Sequence, residues 1–350
     1  MLEKDPGHPW IHRLRIIELF DAQVNAGFQI FIGRKMVWEA VKQKQLHPAS
    51  YGSTPGKMGA SALLHKVLCI DQLKIERKAG GIFDCDAKGC YDRILPPLAT
   101  IHLKALGLDP SIATFLARLM FVARRHVKTK HGVSSESIRT TKEHQIYGIG
   151  QWNGGGPAIW LAHLTVMFTA LASICTGFVI QCIQGIKKFT TVGTGYVDDV
   201  TLFISLHRRD KQTELKVKKK IKQMATQWEK LLYLTGGKLE LQKCFWLPIT
   251  WVWKHGEPVI QRKTDRGGEV RILDLESGDY ITIPRIKPSD AEKRLGIRYA
   301  VNGDWRKELN HWMTFTTEYS RKLATKSIDR MGVIKCIKHY GAPNSGIVLR

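Results

Sequence analysis

The chain has 350 residues, 54 of them basic and 31 acidic, for a net charge of +23, while its 43% hydrophobic content is that of an ordinary globular protein. Such a surplus points to a polyanionic partner, either nucleic acid or an anionic membrane surface. Seven cysteines, odd in number, scattered and without a C-x-x-C pair, argue against a disulfide framework and a cysteine zinc site, and fit a reducing intracellular compartment, nucleus or cytoplasm.

The opening MLEKDPGHPW lacks an apolar run, so no secretory signal is expected. Residues 11 to 46 read as basic and mostly helical, and carry Arg15 among their cations. YGSTPGKMGAS (51 to 61) is a turn rich in Gly, Ser and Pro, and SALLHKVLCIDQLKIE after it reads as an amphipathic helix. In GGIFDCDAKGCYDRI (80 to 94) a short apolar strand runs into acidic residues, and Pro96 and Pro97 stop that element. Thr100 to Arg125 reads as helical, ending in the basic cluster Arg124, Arg125, His126 and Lys128.

GIGQWNGGGPAIW (148 to 160) is a glycine-rich loop, with Pro157 placed to open a long apolar helix. From His144 to Ile186 there is no Asp, Glu, Lys or Arg, and hydropathy alone allows one membrane helix there. His163, Gln181, several Ser and Thr and the interruption at Gly177 favour a helix buried in a large domain, so no membrane is expected. Thr191 to Leu206 reads as two strands around a tight turn, and Lys211 to Tyr233 as a basic amphipathic helix. Beyond GGKLELQKCFW (236 to 246) the segment to about Tyr299 is strand-rich, and the remainder is basic and helical, stopping without a capping sequence as a fragment of a longer chain would.

Two acidic clusters carry the chemistry. Asp84 and Asp86 end one apolar strand, and Asp198 and Asp199 sit in GYVDD, more than a hundred residues later. Adjacent like charges among apolar neighbours repel, and burying either without a partner costs several kcal/mol. Carboxylates converging from two strands make a hard oxygen site suited to Mg²⁺ or Mn²⁺. Two such ions activate an attacking hydroxyl and stabilise a leaving group in phosphoryl transfer, and on a chain this basic nucleic acid is the natural substrate.

The blocks, in order, resemble the reverse transcriptases over about residues 10 to 303. HRLRIIEL and YGSTPGKMGAS look like the early segments of the family's fingers, FDCDAKGCYDRI like motif A, and YGIGQWNGGGPAIW like motif B. YVDD matches motif C, GGKLELQKCFW is similar to motif D, and KRLGIRYAVNGDW to motif E. The resemblance implies an α+β right-hand polymerase fold. Residues 1 to 80 would be fingers, 81 to 303 the palm, an antiparallel sheet packed on helices, with inserted finger helices and a strand-rich insert at about 247 to 290, and 304 to 350 the start of a thumb. It further implies RNA-directed DNA polymerisation with two Mg²⁺ or Mn²⁺ ions, an RNA template, a DNA or RNA primer and deoxynucleoside triphosphates. In that pattern the metal-binding aspartate stands five residues before an aromatic steric gate, which selects Asp86 and Tyr91 and leaves Asp84 a neighbour. Asp198 and Asp199 complete the ligands, Tyr196 floors the primer end, Gln151 lies along the template, Lys243 reaches the pyrophosphate, and Arg15 and Lys57 grip the triphosphate. Trp152 stands where the family usually has glycine; the alternative implied is an inactive RNA-binding protein of the same fold.

Overall fold

The computed structural model describes residues 18–129, 131–143, 145–150, 153–181, 188–207, 213–261, 268–295 and 297–325, together with the backbone of a short strand pair nearer the N-terminus. In that pair β1 (Leu2–Glu3) lies antiparallel to β2 (Leu14–Arg15). α1 (Ala22–Phe28) is capped by Asp21, whose Oδ1 accepts from Gln23 N at 2.9 Å. It runs through a π-helical segment, Gln29–Met36, into α2 (Val37–Lys42), burying Phe28, Ile32, Met36, Val37 and Ala40. α3 (Gly59–Ile75) leads to β3 (Gly80–Asp86), the short α4 (Cys90–Arg93) and α5 (Pro96–Ala105). Pro96 and Pro97 therefore open a helix as well as closing the segment before it, because the first turn has no intrahelical use for their missing N–H groups.

The helical stretch expected from Thr100 to Arg125 is two helices. α5 ends before Gly107, whose φ of +82° is left-handed, and α6 (Pro110–Val122) restarts with Asp109 accepting from Ser111 N at 2.8 Å. The sequence GLDP supplies a helix stop, a cap and a first-turn proline in succession. Arg124, Arg125, His126 and Lys128 lie beyond α6, where β4 (Lys128–Thr129) pairs with β5 (Gly132–Val133).

α7 (Gly156–Ile174) is followed by β6 (Phe178–Gln181) and β7 (Lys188–Thr191), which pair with each other, and by β8 (Gly193–Tyr196) and β9 (Asp199–Ser205). α8 (Glu214–Leu234) and a 3₁₀ turn, Leu241–Lys243, precede β10 (Phe245–Ile249). Three antiparallel hairpins come next: β11 (Trp251–Lys254) with β12 (Glu257–Ile260), β13 (Val270–Leu273) with β14 (Tyr280–Ile283), and β15 (Glu292–Arg294) with β16 (Ile297–Tyr299). α9 (Arg306–Ala324) closes the described chain.

The centre is a four-stranded antiparallel sheet in the order β10-β3-β9-β8, packed on helices in an α+β arrangement. Strand alternation divides its side chains. Phe83, Cys85, Val200, Leu202 and Trp246 join the core built with α7 and α8, whereas Ile82, Phe203, Leu247 and Ile249 pack with Leu63, Ile70 and Leu73 of α3. Gly81 lets α8 close on the sheet, since a Cβ there would stand 2.7 Å from Ile221 and 2.8 Å from Val217. Among the described residues α7 alone is long and apolar enough to cross a membrane, and most of it is covered by its neighbours in the core.

Candidate active site

Antiparallel pairing of β3 with β9 sets Asp86 opposite Asp199, and pairing of β8 with β9 sets Tyr196 opposite Asp199. Val197 and Asp198 form the turn between β8 and β9. Val197 has φ +59°, a left-handed conformation that a β-branched residue adopts only under constraint. The constraint comes from both sides. Trp160 of α7 donates its indole N–H to the Val197 carbonyl at 2.6 Å. On the other side Tyr51 N donates to the Gly195 carbonyl and Gly195 N to the Ala49 carbonyl, both at 2.8 Å. Gly52 is required there, because any Cβ would overlap the backbone nitrogen of Val197.

The turn holds Asp198 in a poor environment for a charge. Burial, then the neighbouring carboxylates of Asp199 and Asp86, push its pKa up to about 6. Lys243 Nζ lies 3.0 Å from Asp86 Oδ2, and that hydrogen bond holds the Lys243 pKa above its ordinary value. Asp84 is engaged elsewhere. It is buried, paired with Lys66 Nζ at 2.7 Å, and accepts a hydrogen bond from the Thr201 hydroxyl. Geometry thus separates the two aspartates of β3: Asp84 is tied into the α3 side of the sheet, and Asp86 reaches the strand end beside Asp199. Among the described residues no three ligand-type side chains are already gathered into a coordination shell. The donor chemistry nonetheless suits a hard divalent cation: three neighbouring carboxylates, one raised by repulsion from the others and one drawing in a lysine ammonium.

Tyr91, on α4, borders this site. Its ring faces Gly156, where a Cβ would stand 3.7 Å away, and lies 6.4 Å from the Trp160 ring. Burial, then Cys90 and Asp198, raise its hydroxyl pKa. Its carbonyl accepts from Ile149 N at 2.9 Å, joining α4 to the glycine-rich loop. Gln151 and Trp152 lie outside the described residues. The flanks of that loop are anchored: Asn153 is buried, donating Nδ2 to the Ile149 carbonyl at 3.1 Å and accepting from Gly155 N at 2.8 Å, and Gly154 N donates to Asn25 Oδ1 at 2.6 Å.

The two expected triphosphate cations stand differently. Lys57 spends its ammonium on the carbonyls of Pro48 at 3.0 Å and Ser50 at 2.8 Å, 4.7 Å over the Tyr51 ring, within the loop that clamps the β8–β9 turn. Of Arg15 only the backbone pairing with Leu2 is described, and its side chain falls outside the described residues.

No family model and no curated protein matches the chain. Among solved structures it is similar to a telomerase from Candida albicans in complex with a TWJ fragment of telomeric RNA, at 11% identity and a TM-score of 0.38 over 81% of this chain and 41% of that one. It is also similar to an apo telomerase from Candida tropicalis truncated from its C-terminal domain, at 13% identity and a TM-score of 0.41 over 76% of this chain and 49% of that one. The chain thus spans less than half the length of either, and a likeness at this level assigns it neither a family nor an activity.

Three residues at the site escape a reading of the sequence. Trp160 and Gly52 act on Val197 through backbone atoms, which leaves no pattern in the residue types. Lys66 did carry a signal: it interrupts the apolar stripe of Leu63, Ile70 and Leu73 on α3, and a lysine on such a stripe needs a buried acid.

Proposed function

We propose that the chain is the polymerase domain of a reverse transcriptase, adding deoxynucleotides to a primer 3′-hydroxyl under the direction of an RNA template, and that it derives from a retroelement lacking long terminal repeats. In this reading residues 1 to 80 act as fingers, 81 to 303 as palm and 304 to 350 as the start of a thumb, in an intracellular setting. The observation that carries it is the meeting of Asp86, Asp198 and Asp199 at adjacent strand ends beside Tyr91.

Asp86, Asp198 and Asp199 would hold two Mg²⁺ or Mn²⁺ ions, which when bound supply activation of the primer hydroxyl and neutralisation of the leaving pyrophosphate. In the reaction a bond forms between the primer 3′-oxygen and the α-phosphorus, the bond to the β-phosphate oxygen breaks, and the hydroxyl proton passes to solvent. Tyr91 would exclude a 2′-hydroxyl by the bulk of its ring. Lys243, within reach of Asp86, would give its charge to the departing pyrophosphate. Tyr196, in register with Asp199, would support the primer end, with Gln151 along the template and Arg15 towards the triphosphate; Lys57 would reach the triphosphate only on releasing the Pro48 and Ser50 carbonyls.

The test is primer extension on an RNA template with Mg²⁺ and then Mn²⁺, comparing the protein as it stands with Asp198→Asn and Trp152→Gly. Incorporation of deoxynucleotides by the unaltered protein, reduced at least about a hundredfold in Asp198→Asn, is expected. Incorporation that survives Asp198→Asn unchanged would overturn the assignment of the site, and inert proteins throughout would overturn the polymerase.

A further inference from the structure

A cleft of about 810 Å³ opens between α3, the β11–β12 hairpin, the end of β16 and the start of α9, a size common to ligand-holding clefts. It is separate from the carboxylate site. Trp251 follows Ile249, which pairs with Gly80, the end of β3 opposite Asp86. At about 3.3 Å per residue the length of β3 puts the cleft roughly 20 Å from the carboxylates.

Three aromatic rings line it, Trp251, Tyr299 and Trp305, the last two with centroids 5.3 Å apart and Trp305 45% exposed. The Trp251 indole Nε1 is buried and has no hydrogen-bond partner among the described residues, a donor in search of an acceptor. Lys74 and Lys287, both exposed, also line the cleft, and the guanidinium of Arg77, just past α3, lies over the neighbouring Trp253 at 4.2 Å. Asp71 adds one acceptor. A free anion would leave the rings unused, and an apolar peptide would leave the lysines unmatched. A base with its phosphate answers to all of them.

We propose that this cleft binds single-stranded nucleic acid, with unpaired bases on Trp251 and Trp305, backed by the buried Tyr299, and phosphates on Lys74 and Lys287. It gives the β11–β12 hairpin, which the polymerase reading leaves without a role, the task of holding a strand some distance from the carboxylates. Aromatic platforms beside cations bind unpaired strands with little regard to sequence, and the net charge of +23 favours the same partner.

The experiment needs no nucleotide or metal, so its result does not depend on polymerase activity. The full chain is cross-linked by ultraviolet light to a 4-thiouridine RNA oligonucleotide and to a 4-thiothymidine DNA oligonucleotide, and the modified peptides are mapped. In parallel, affinities of labelled single strands and of an RNA–DNA duplex are measured by anisotropy for the unaltered protein, Trp305→Ala and Lys287→Glu. Cross-links in the peptides spanning 251 to 260 and 299 to 305 are expected. Trp305→Ala, with a melting curve to show that it folds, is expected to weaken single-strand binding about fivefold or more and duplex binding little. Stronger cross-linking of RNA would assign the cleft to a template, and equal cross-linking to either strand. Cross-links confined to other peptides, or single-strand affinity unaltered in both variants, would overturn the proposal.

Discussion

At the scale of single residues the site is organised by restraint more than by acidity. Val197 keeps a left-handed backbone because Trp160 fixes its carbonyl and Gly52 leaves room beside its nitrogen. Trp160→Phe keeps the ring and removes the donor, leaving a carbonyl short of its partner. A loss of about 1–3 kcal/mol in urea melts is expected, and, in the proposed polymerase reaction, primer extension slowed about tenfold as the turn relaxes and Asp198 shifts. Melts and rates both equal to those of the unaltered protein would show that the indole bond does not hold the turn. Below the turn, Lys66 and Asp84 form a buried ion pair, and breaking one partner of such a pair costs far more than replacing both. Lys66→Met alone should destabilise by about 3–5 kcal/mol, and Lys66→Met with Asp84→Leu should recover most of that. A single variant as stable as the parent would refute a structural role for the pair.

Among the elements, what local pattern encodes was legible. The β8–β9 hairpin around GYVDD, the strand β3 and the helix opened near Pro157 all follow from alternation, turn residues and a first-turn proline. GLDP also carried its helix break in plain sight, and the length of the apolar pattern around it hid the break. The attachment of the 247 to 290 insert was not legible, because it rests on ion pairs between residues far apart in sequence. The turn between β13 and β14 reaches across to α4. Lys238 Nζ lies 2.7 Å from both Asp274 Oδ2 and Glu276 Oε2, Arg93 Nη2 donates to Glu276 Oε1 at 3.0 Å, and Arg93 Nε donates to the Gly236 carbonyl at 3.3 Å. The lysine bond first, and then Arg93, hold the Glu276 carboxyl down to about 2. Because Glu276 is nearly half exposed, Glu276→Gln should change stability by no more than about 1 kcal/mol. In the proposed polymerase reaction its effect should appear at Tyr91, two residues from Arg93: a several-fold rise in KM for deoxynucleotides and a weaker preference over ribonucleotides, with kcat little altered. Discrimination unchanged in steady-state kinetics would mean that the hairpin does not position the Tyr91 ring.

For the molecule as a whole, acid should act through histidines rather than through the surface. His163, on α7, is fully buried, shares a hydrogen bond with His102 of α5 between their Nδ1 atoms at 3.1 Å, and stacks near Trp160. One ring must donate and the other accept, so a second proton would break the bond, and burial already disfavours the first. Burial, then the proximity of His102, pull the His163 pKa down to about 3, and burial lowers those of His47 and His65 to about 4. The sign follows from proton counts. Between an unfolded value near 6.5 and these folded values the unfolded chain binds more protons, so stability is full above about pH 6.5 and drains away as pH falls. Asp198 works the other way: its folded pKa, raised to about 6, makes protonation favour the folded state as pH drops below that value, and offsets one histidine. With at least three histidines lowered against one aspartate raised, the net slope is towards instability in acid. His163 alone should contribute a loss on the order of 1 kcal/mol by pH 5.5. The check is urea unfolding at pH 7.5 and pH 5.5 for the parent and for His163→Phe, which retains an aromatic ring and removes the titrating group. The variant is destabilised at neutral pH by its altered packing, so the informative quantity is the difference between the two pH values within each protein. That difference should shrink by roughly 1 kcal/mol in His163→Phe; an equal difference in both proteins would place the acid sensitivity elsewhere.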